Sequence, residues 1–179
     1  MPKLASRDQI DARYRWDLTH IFASDDDWAA ELDILRRDIV DIERYQGQLA
    51  ESPTVVANWL EESERLQERL GKLYVYASCQ YAVDTTDQAA GGRESQAIGV
   101  HAELAAAASF AEPELLAIGA EVLQRWADQE PRLTRFRHYF DELERHAPHD
   151  RDRRCVQHLG HLDADERRAH DALAIEVDH

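Results

Sequence analysis

The sequence predicts an all-α protein, a bundle of about five or six amphipathic helices. Apolar residues recur at spacings of three and four along most of the 179 residues, which is the period of one helix face. The periodic stretches begin at capping residues or prolines, and the first ends at a glycine, as helices do. No segment shows the alternation of a strand. A chain of this length can bury a core of its own.

The first helix is predicted between Ser24 and Gly47. Ser24 is a suitable N-cap, and three aspartates follow it in the first turn, where the helix dipole favours negative charge. Gly47 supplies a stop signal. One apolar stripe runs between these signals and predicts a core face, and it consists of Trp28, Leu32, Leu35, Ile39 and Ile42.

The second helix is predicted from Pro53 to about Val83, with Ser52 as its N-cap. Gly71 lowers helix propensity by about 1 kcal/mol, but the apolar stripe continues through it in register, so we expect a single long helix. The Tyr and Val content of LYVYASCQY would also suit a strand, and its place on the stripe favours the helix. The stripe contains Trp59, Leu66, Leu70, Leu73 and Ala77.

The third helix is predicted to begin with Thr85 or Thr86 as its cap. Its second half is rich in alanine, the residue that helices accommodate best and one that lets neighbouring helices approach closely. Gly91 and Gly92 predict a weak or bent first half.

The remaining predicted helices are shorter. One restarts at Glu112 and runs through Trp126, and the next begins at Pro131. We expect residues 1–148 to form one helical domain and residues 149–179, which are dense in charge and histidine, to be loosely helical or disordered. The last predicted helix carries one apolar face that contains Leu133, Phe136, Phe140 and Leu143.

The segment before the first helix, RYRWDLTHIF, holds a dense aromatic cluster and has no regular period. Such a segment is suited to lie across neighbouring helices as a strap. We therefore predict that Trp16 and Phe22 are buried and that Asp17 caps a turn or pairs with an arginine.

Composition excludes some classes of function. The formal net charge is -15, from 36 acidic and 21 basic residues, and such a charge repels nucleic-acid phosphates. Cys79 and Cys155 are far apart, as expected of free thiols in a reducing compartment. No signal peptide and no apolar run of about 18 residues is visible. We predict a cytoplasmic protein that binds neither nucleic acid nor membrane.

The sequence contains no motif that carries catalysis. It lacks a phosphate-binding loop, a GxSxG elbow and an HExxH zinc helix, and Cys79 is interpreted as a packed thiol. His158 and His161 are spaced so that they could share a helix face and a metal ion, but Gly160 lies between them and no glutamate stands beside the first. We expect solvated histidines there, and we assign no catalytic, cofactor-binding or metal-ligating residue.

Five segments carry a resemblance to a known family. In order, between Asp11 and His149, they are RYRWDLTHIFASDDDWAAEL, YQGQL, LYVYASCQYAVDTTD, SFAEPELL and FRHYFDELERHAPH. Together they resemble the amino-terminal region of oligoendopeptidase F and its relatives in the thimet oligopeptidase class of zinc metallopeptidases. After His149 the resemblance fades.

The resemblance implies an all-helical enzyme with a deep channel that admits short peptides. It also implies a zinc ion held by HExxH and a later glutamate, far downstream of the matched region, so no zinc-binding residue is carried over to this chain. We expect a helical domain that walls the substrate channel, occurs as a truncated chain, is inactive alone, and associates with a separate catalytic half or with itself. The alternative is a stand-alone helical protein-interaction module without catalytic activity.

Overall fold

The computed structural model describes residues 10–14, 16–143 and 145, and in that part of the chain all regular structure is helical. The predicted all-α fold is confirmed. Residues 149–179 lie outside the described residues. The α-helices are α1 (Asp25–Asp41), α2 (Pro53–Val83), α3 (Gln88–Ala107), α4 (Ala111–Ile118), α5 (Ala120–Gln129) and α6 (137–143). Short 3-10 helices span Ala12–Tyr14, Leu18–His20, Ile42–Tyr45 and Pro131–Phe136.

The described residues fall into two compact units, the first ending at Glu114 and the second beginning at Leu115. The first unit is built on α1, α2 and α3, with α1 in contact with both of the others and α2 running along α3. The second contains α5, the 3-10 helix after it and α6. The predicted domain limit after residue 148 lies beyond the described residues and stays a prediction.

The core of the first unit is made by the predicted apolar stripes. All five stripe residues of the first helix are buried, and so are the five of the second. Trp28 is only 2% exposed, and its indole Nε1 donates to the carbonyl oxygen of Leu73 at 2.9 Å. The helical period therefore identified the residues that hold α1 and α2 together.

Two of the three predicted helix caps are confirmed. The hydroxyls of Ser24 and Ser52 each accept from a backbone N–H in the first turn of the helix that follows. The third helix is capped by Asp87 rather than by Thr85 or Thr86, because the Asp87 carboxylate accepts two first-turn N–H groups, at 2.8 and 3.1 Å. A carboxylate at this position also complements the helix dipole, which a threonine hydroxyl cannot do.

The first half of α3 is continuous through Gly91 and Gly92. Gly91 lies against the ring of Tyr81 in α2, and a Cβ atom added to it would stand 3.1 Å from that ring. Gly91 was expected to weaken the helix. In the structure it permits a close approach of α2 and α3.

The predicted helix from Glu112 through Trp126 is two helices. The chain breaks at Gly119, whose φ of 86° lies in the left-handed region, and its N–H donates to the carbonyl of Leu115 at 3.1 Å. This is how a glycine ends a helix. The predicted apolar face that follows is confirmed, although its first part, Pro131–Phe136, is a 3-10 helix. Buried on it are Leu133, Phe136, Phe140 and Leu143.

The prediction for the amino-terminal strap is confirmed for Asp17, holds only in part for Phe22 and is wrong for Trp16. Asp17 caps the Leu18–His20 helix by accepting from the Thr19 N–H at 3.0 Å, and Phe22 is half-buried. Trp16 is 70% exposed. Tyr14, which precedes it, is 75% exposed as well, so the aromatic residues before Asp17 lie at the surface.

None of the helices in the described part of the chain combines the length and the apolar character that a bilayer span requires. The longest, α2, has 31 residues. Seven of the twelve residues from Glu61 to Lys72 are charged.

Two tryptophans of opposite exposure test this description of the core. We expect Trp28→Ala to lower the free energy of unfolding by about 3 to 5 kcal/mol, the range for a buried aromatic side chain. Trp16→Ala serves as the matched control and should change it by less than about 0.5 kcal/mol. Urea unfolding followed by circular dichroism measures both, and equal losses would contradict the assignment.

Candidate functional site

No group of three or more His, Cys, Asp and Glu side chains is placed to hold a metal ion within residues 10–14, 16–143 and 145. His158 and His161, the pair considered as metal ligands, lie outside those residues. Cys79, interpreted as a packed thiol, is half-buried in α2. In the described part of the chain, polar side chains come together where they link one helix to another.

The densest of these groups joins all three long helices, and we call it the Asp25 hub. It consists of Asp25 of α1, Tyr76 and Gln80 of α2, and Arg93 of α3. Asp25 Oδ1 accepts from Tyr76 Oη at 2.9 Å and from Gln80 Nε2 at 3.0 Å. Arg93 Nη1 lies 3.2 Å from Asp25 Oδ2, and Arg93 Nε donates to Gln80 Oε1 at 3.0 Å. Each residue of the hub therefore contacts at least one other helix.

Electrostatics fixes the protonation of the hub. The hydrogen bond from Gln80 is the main cause that lowers the pKa of Asp25, with further lowering from Tyr76 and Arg93. Burial is the main cause that raises the pKa of Tyr76, and its hydrogen bond to Asp25 adds to it. At neutral pH the hub therefore holds a carboxylate, a neutral phenol and a guanidinium. A carboxylate of lowered pKa is a weak base, so this arrangement fastens helices and is poorly suited to proton transfer.

Phe22 extends the hub to the strap. Its ring meets the ring of Tyr76 edge to face, with centroids 5.4 Å apart and planes at 90°, which is a favoured geometry for aromatic pairs. The strap is thus attached at the residue whose hydroxyl binds Asp25.

A second set of charges fastens the middle of α1. Arg69 of α2 pairs with Glu31 and Asp38 of α1, and these partners raise the pKa of the guanidinium, with the hydrogen bond to Glu31 as the main cause. On the other side, Arg36 of α1 lies 3.3 Å from Glu103 of α3. The rotation of α1 about its axis is therefore fixed from both neighbours.

The loop between α1 and α2 is closed by Glu114. One carboxylate oxygen accepts from the Gly47 N–H at 2.6 Å, and the other accepts from the Leu49 N–H at 3.4 Å. Gly47 has a φ of 78°, and Leu49 is fully buried. A residue of α4 thus satisfies backbone groups that the loop itself leaves open.

Sequence reasoning found none of these tertiary pairs. The sequence pattern indicates only a favourable interaction of Asp25 with the helix dipole, which is part of its role. Tyr76 and Gln80 are spaced by one helical turn at the edge of the apolar stripe, and this spacing of two polar residues beside a core face is the signal that could have indicated a partner on another helix.

Comparison with known proteins identifies what this fold is similar to. Residues 114–154 match the peptidase family described as Oligopeptidase F. The chain is 32% identical over 144 residues to the group B oligopeptidase PepB of Streptococcus agalactiae serotype III, a match that covers 80% of this chain and 24% of that protein. It is 29% identical over 147 residues to the oligopeptidase PepF of Bacillus subtilis, covering 82% and 22%.

A solved structure shares the fold. A crystal structure of a protein from Chlamydophila abortus superimposes with a TM-score of 0.66 over 80% of this chain and 24% of its own, at 21% identity. At 21% identity, this structural similarity shows a shared fold alone. The chain therefore spans about a quarter of each protein that it matches.

In fold and in sequence, this chain resembles the helical amino-terminal region of peptidases. The resemblance to the amino-terminal region of oligoendopeptidase F, which the order of the sequence segments predicted, is confirmed.

The Asp25 hub predicts a pH dependence of stability. Because folding lowers the pKa of Asp25, its contribution is present above the unfolded pKa of about 3.9 and is lost as the pH falls through the folded value. The Asp25 side chain is 50% exposed, so we expect Asp25→Asn to cost only about 1 kcal/mol at pH 7. The difference from the wild type should shrink below about pH 4.

The neighbouring Asp26→Asn is the control for the helix dipole. Asp26 is exposed in the same first turn, so its replacement should change the free energy of unfolding by less than about 0.5 kcal/mol. Urea unfolding at pH 7 and pH 3 provides the comparison. Equal losses for the two variants at pH 7 would show that the hub adds nothing to the dipole.

Proposed function

We propose that this chain is the helical amino-terminal domain of an oligoendopeptidase F-type zinc metallopeptidase, where it walls the channel that admits short peptides. The proposal depends on one observation above the others: four fifths of the chain match proteins named as oligopeptidases, at up to 32% identity. A cytoplasmic location belongs to the same proposal.

Zinc and hydrolysis lie, in this proposal, in residues beyond this chain. The sequence has no HExxH motif, and the described residues do not fit a zinc ion, because no suitable group of ligands converges among them. No step of peptide hydrolysis is therefore assigned to a residue of this chain.

The chemistry of the described residues suits the part of a wall. A wall that positions a substrate must keep its shape, and fixed helices give more precise positioning than loops. The Asp25 hub and the pairs made by Arg69 hold α1 on α2 and α3 at both of its halves. Positioning of this kind can lower a reaction barrier by several kcal/mol.

Complementation tests the proposal. The part of the Bacillus subtilis PepF polypeptide that follows its matched region is produced alone and together with this chain, and cleavage of a quenched fluorescent peptide is measured. We expect no cleavage and no stoichiometric zinc for this chain alone. With both chains present, we expect cleavage at least about tenfold above the PepF part alone, abolished by a chelator.

Two results would contradict the proposal. The first is chelator-sensitive cleavage by this chain alone, which would reveal a catalytic site that its residues do not indicate. The second is an unchanged rate when this chain is added to the PepF part, which would favour the stand-alone interaction module. An unrelated helical protein of similar charge serves as the control for nonspecific effects of added protein.

A further inference from the structure

One surface of the α2–α3 pair is formed by uncharged side chains, with only Glu94 and His101 beside them, although 32% of all residues in the chain are charged. We call this surface the α2–α3 face. Its members are small, aliphatic or aromatic, and all are exposed except the half-buried serine: Tyr74, Val75 and Ser78 of α2, with Ile98, Ala102 and Ala105 of α3.

The register of the two helices makes this a single surface. They run antiparallel, and the contact between Tyr81 and Gly91 sets their register. Two turns along from that contact, Tyr74 of α2 comes opposite Ile98 of α3. Tyr74 is 44% exposed and Ile98 is 55% exposed, so the two largest apolar side chains of the face are open to solvent at the same level of the two helices.

The lack of charge is local. The first half of α2 exposes Glu64 and Glu68, and the outer side of α1 exposes Asp33 and Arg37. On α3, the half-buried Glu94 and the exposed His101 lie one turn before and one turn after Ile98. An exposed surface of this composition is typical of a contact area with another protein surface.

The size of the face favours an occupant that belongs to the same polypeptide in the relatives. Two adjacent helices exposed over about 20 Å offer on the order of 400 Å². A stable complex of separate chains buries about 800 Å² per partner, so this area is small for a second copy. An interface inside one chain can be smaller, because the connection has already removed most of the entropy cost of association.

The relatives contain such an occupant. This chain covers 24% of PepB and 22% of PepF, so about three quarters of each relative lies outside the match. Resting on the proposed function, we propose that the α2–α3 face docks this remaining part of an oligopeptidase F-type polypeptide. The partner surface is uncharged, and an aliphatic or aromatic side chain of it sits beside Tyr74 and Ile98, where Ala102 and Ala105 allow a close approach.

A charge placed on the face provides the test. Ile98→Glu is compared with Val40→Glu, whose site on α1 is 63% exposed and lies off the face. Each variant and the wild type is coexpressed with the same PepF part, and the amount of this chain that elutes with it in gel filtration is measured. We expect the wild type and Val40→Glu to elute with the PepF part, and Ile98→Glu to lose this association by about tenfold or more.

A second variant guards against misfolding. Ala102→Arg also lies at an exposed helical position of the face and should give the same loss. Circular dichroism and the thermal midpoint show whether each variant keeps its fold, and both face variants are expected to do so.

The outcomes separate this proposal from the proposed function. If Ile98→Glu and Ala102→Arg associate with the PepF part and raise cleavage as the wild type does, the docking face is wrong and the proposed function stands. If the wild type itself neither associates nor raises cleavage, both fail. A wild-type dimer in sedimentation velocity that Ile98→Glu dissociates would overturn the proposal in favour of a second copy.

Discussion

The burial of Trp28 between α1 and α2 is the interaction on which the rest of the first unit depends. A buried indole N–H is stabilised by an acceptor, and here the acceptor is the carbonyl oxygen of Leu73. This bond fixes both the rotation of α1 about its own axis and its position along the axis of α2. With α1 so placed, Asp25, one turn earlier, reaches Tyr76, and the acidic side chains of α1 reach Arg69.

Local patterns predicted most of the fold, and tertiary neighbours decided the rest. The apolar stripes identified α1 and α2 and their buried faces, because helix period and burial are coupled within a few residues. The partners of Asp25 lie 51 and 55 residues away, and no local pattern reports them. Trp16 was expected in the core because of its residue type, yet exposure depends on what lies beside it.

From the sequence, the candidate site could be predicted only through its resemblance to a known family. The segments that carry the resemblance contain the residues that build the structure: Phe22 and Asp25 in the first, Tyr76 and Gln80 in the third, and Glu114 in the fourth. These residues form contacts that determine the fold. The resemblance therefore identifies the relatives and the fold together.

The contacts of Glu114 impose an order on folding during synthesis. Its carboxylate closes the loop at Gly47 and Leu49, which precede it by 67 and 65 residues. At synthesis rates of about 5 to 20 residues per second, the ribosome needs roughly 3 to 13 s to travel from one partner to the other. During that interval α1 and α2 can pair while the loop that joins them still has open amides. The loop therefore acquires its final hydrogen bonds only once the start of α4 has emerged.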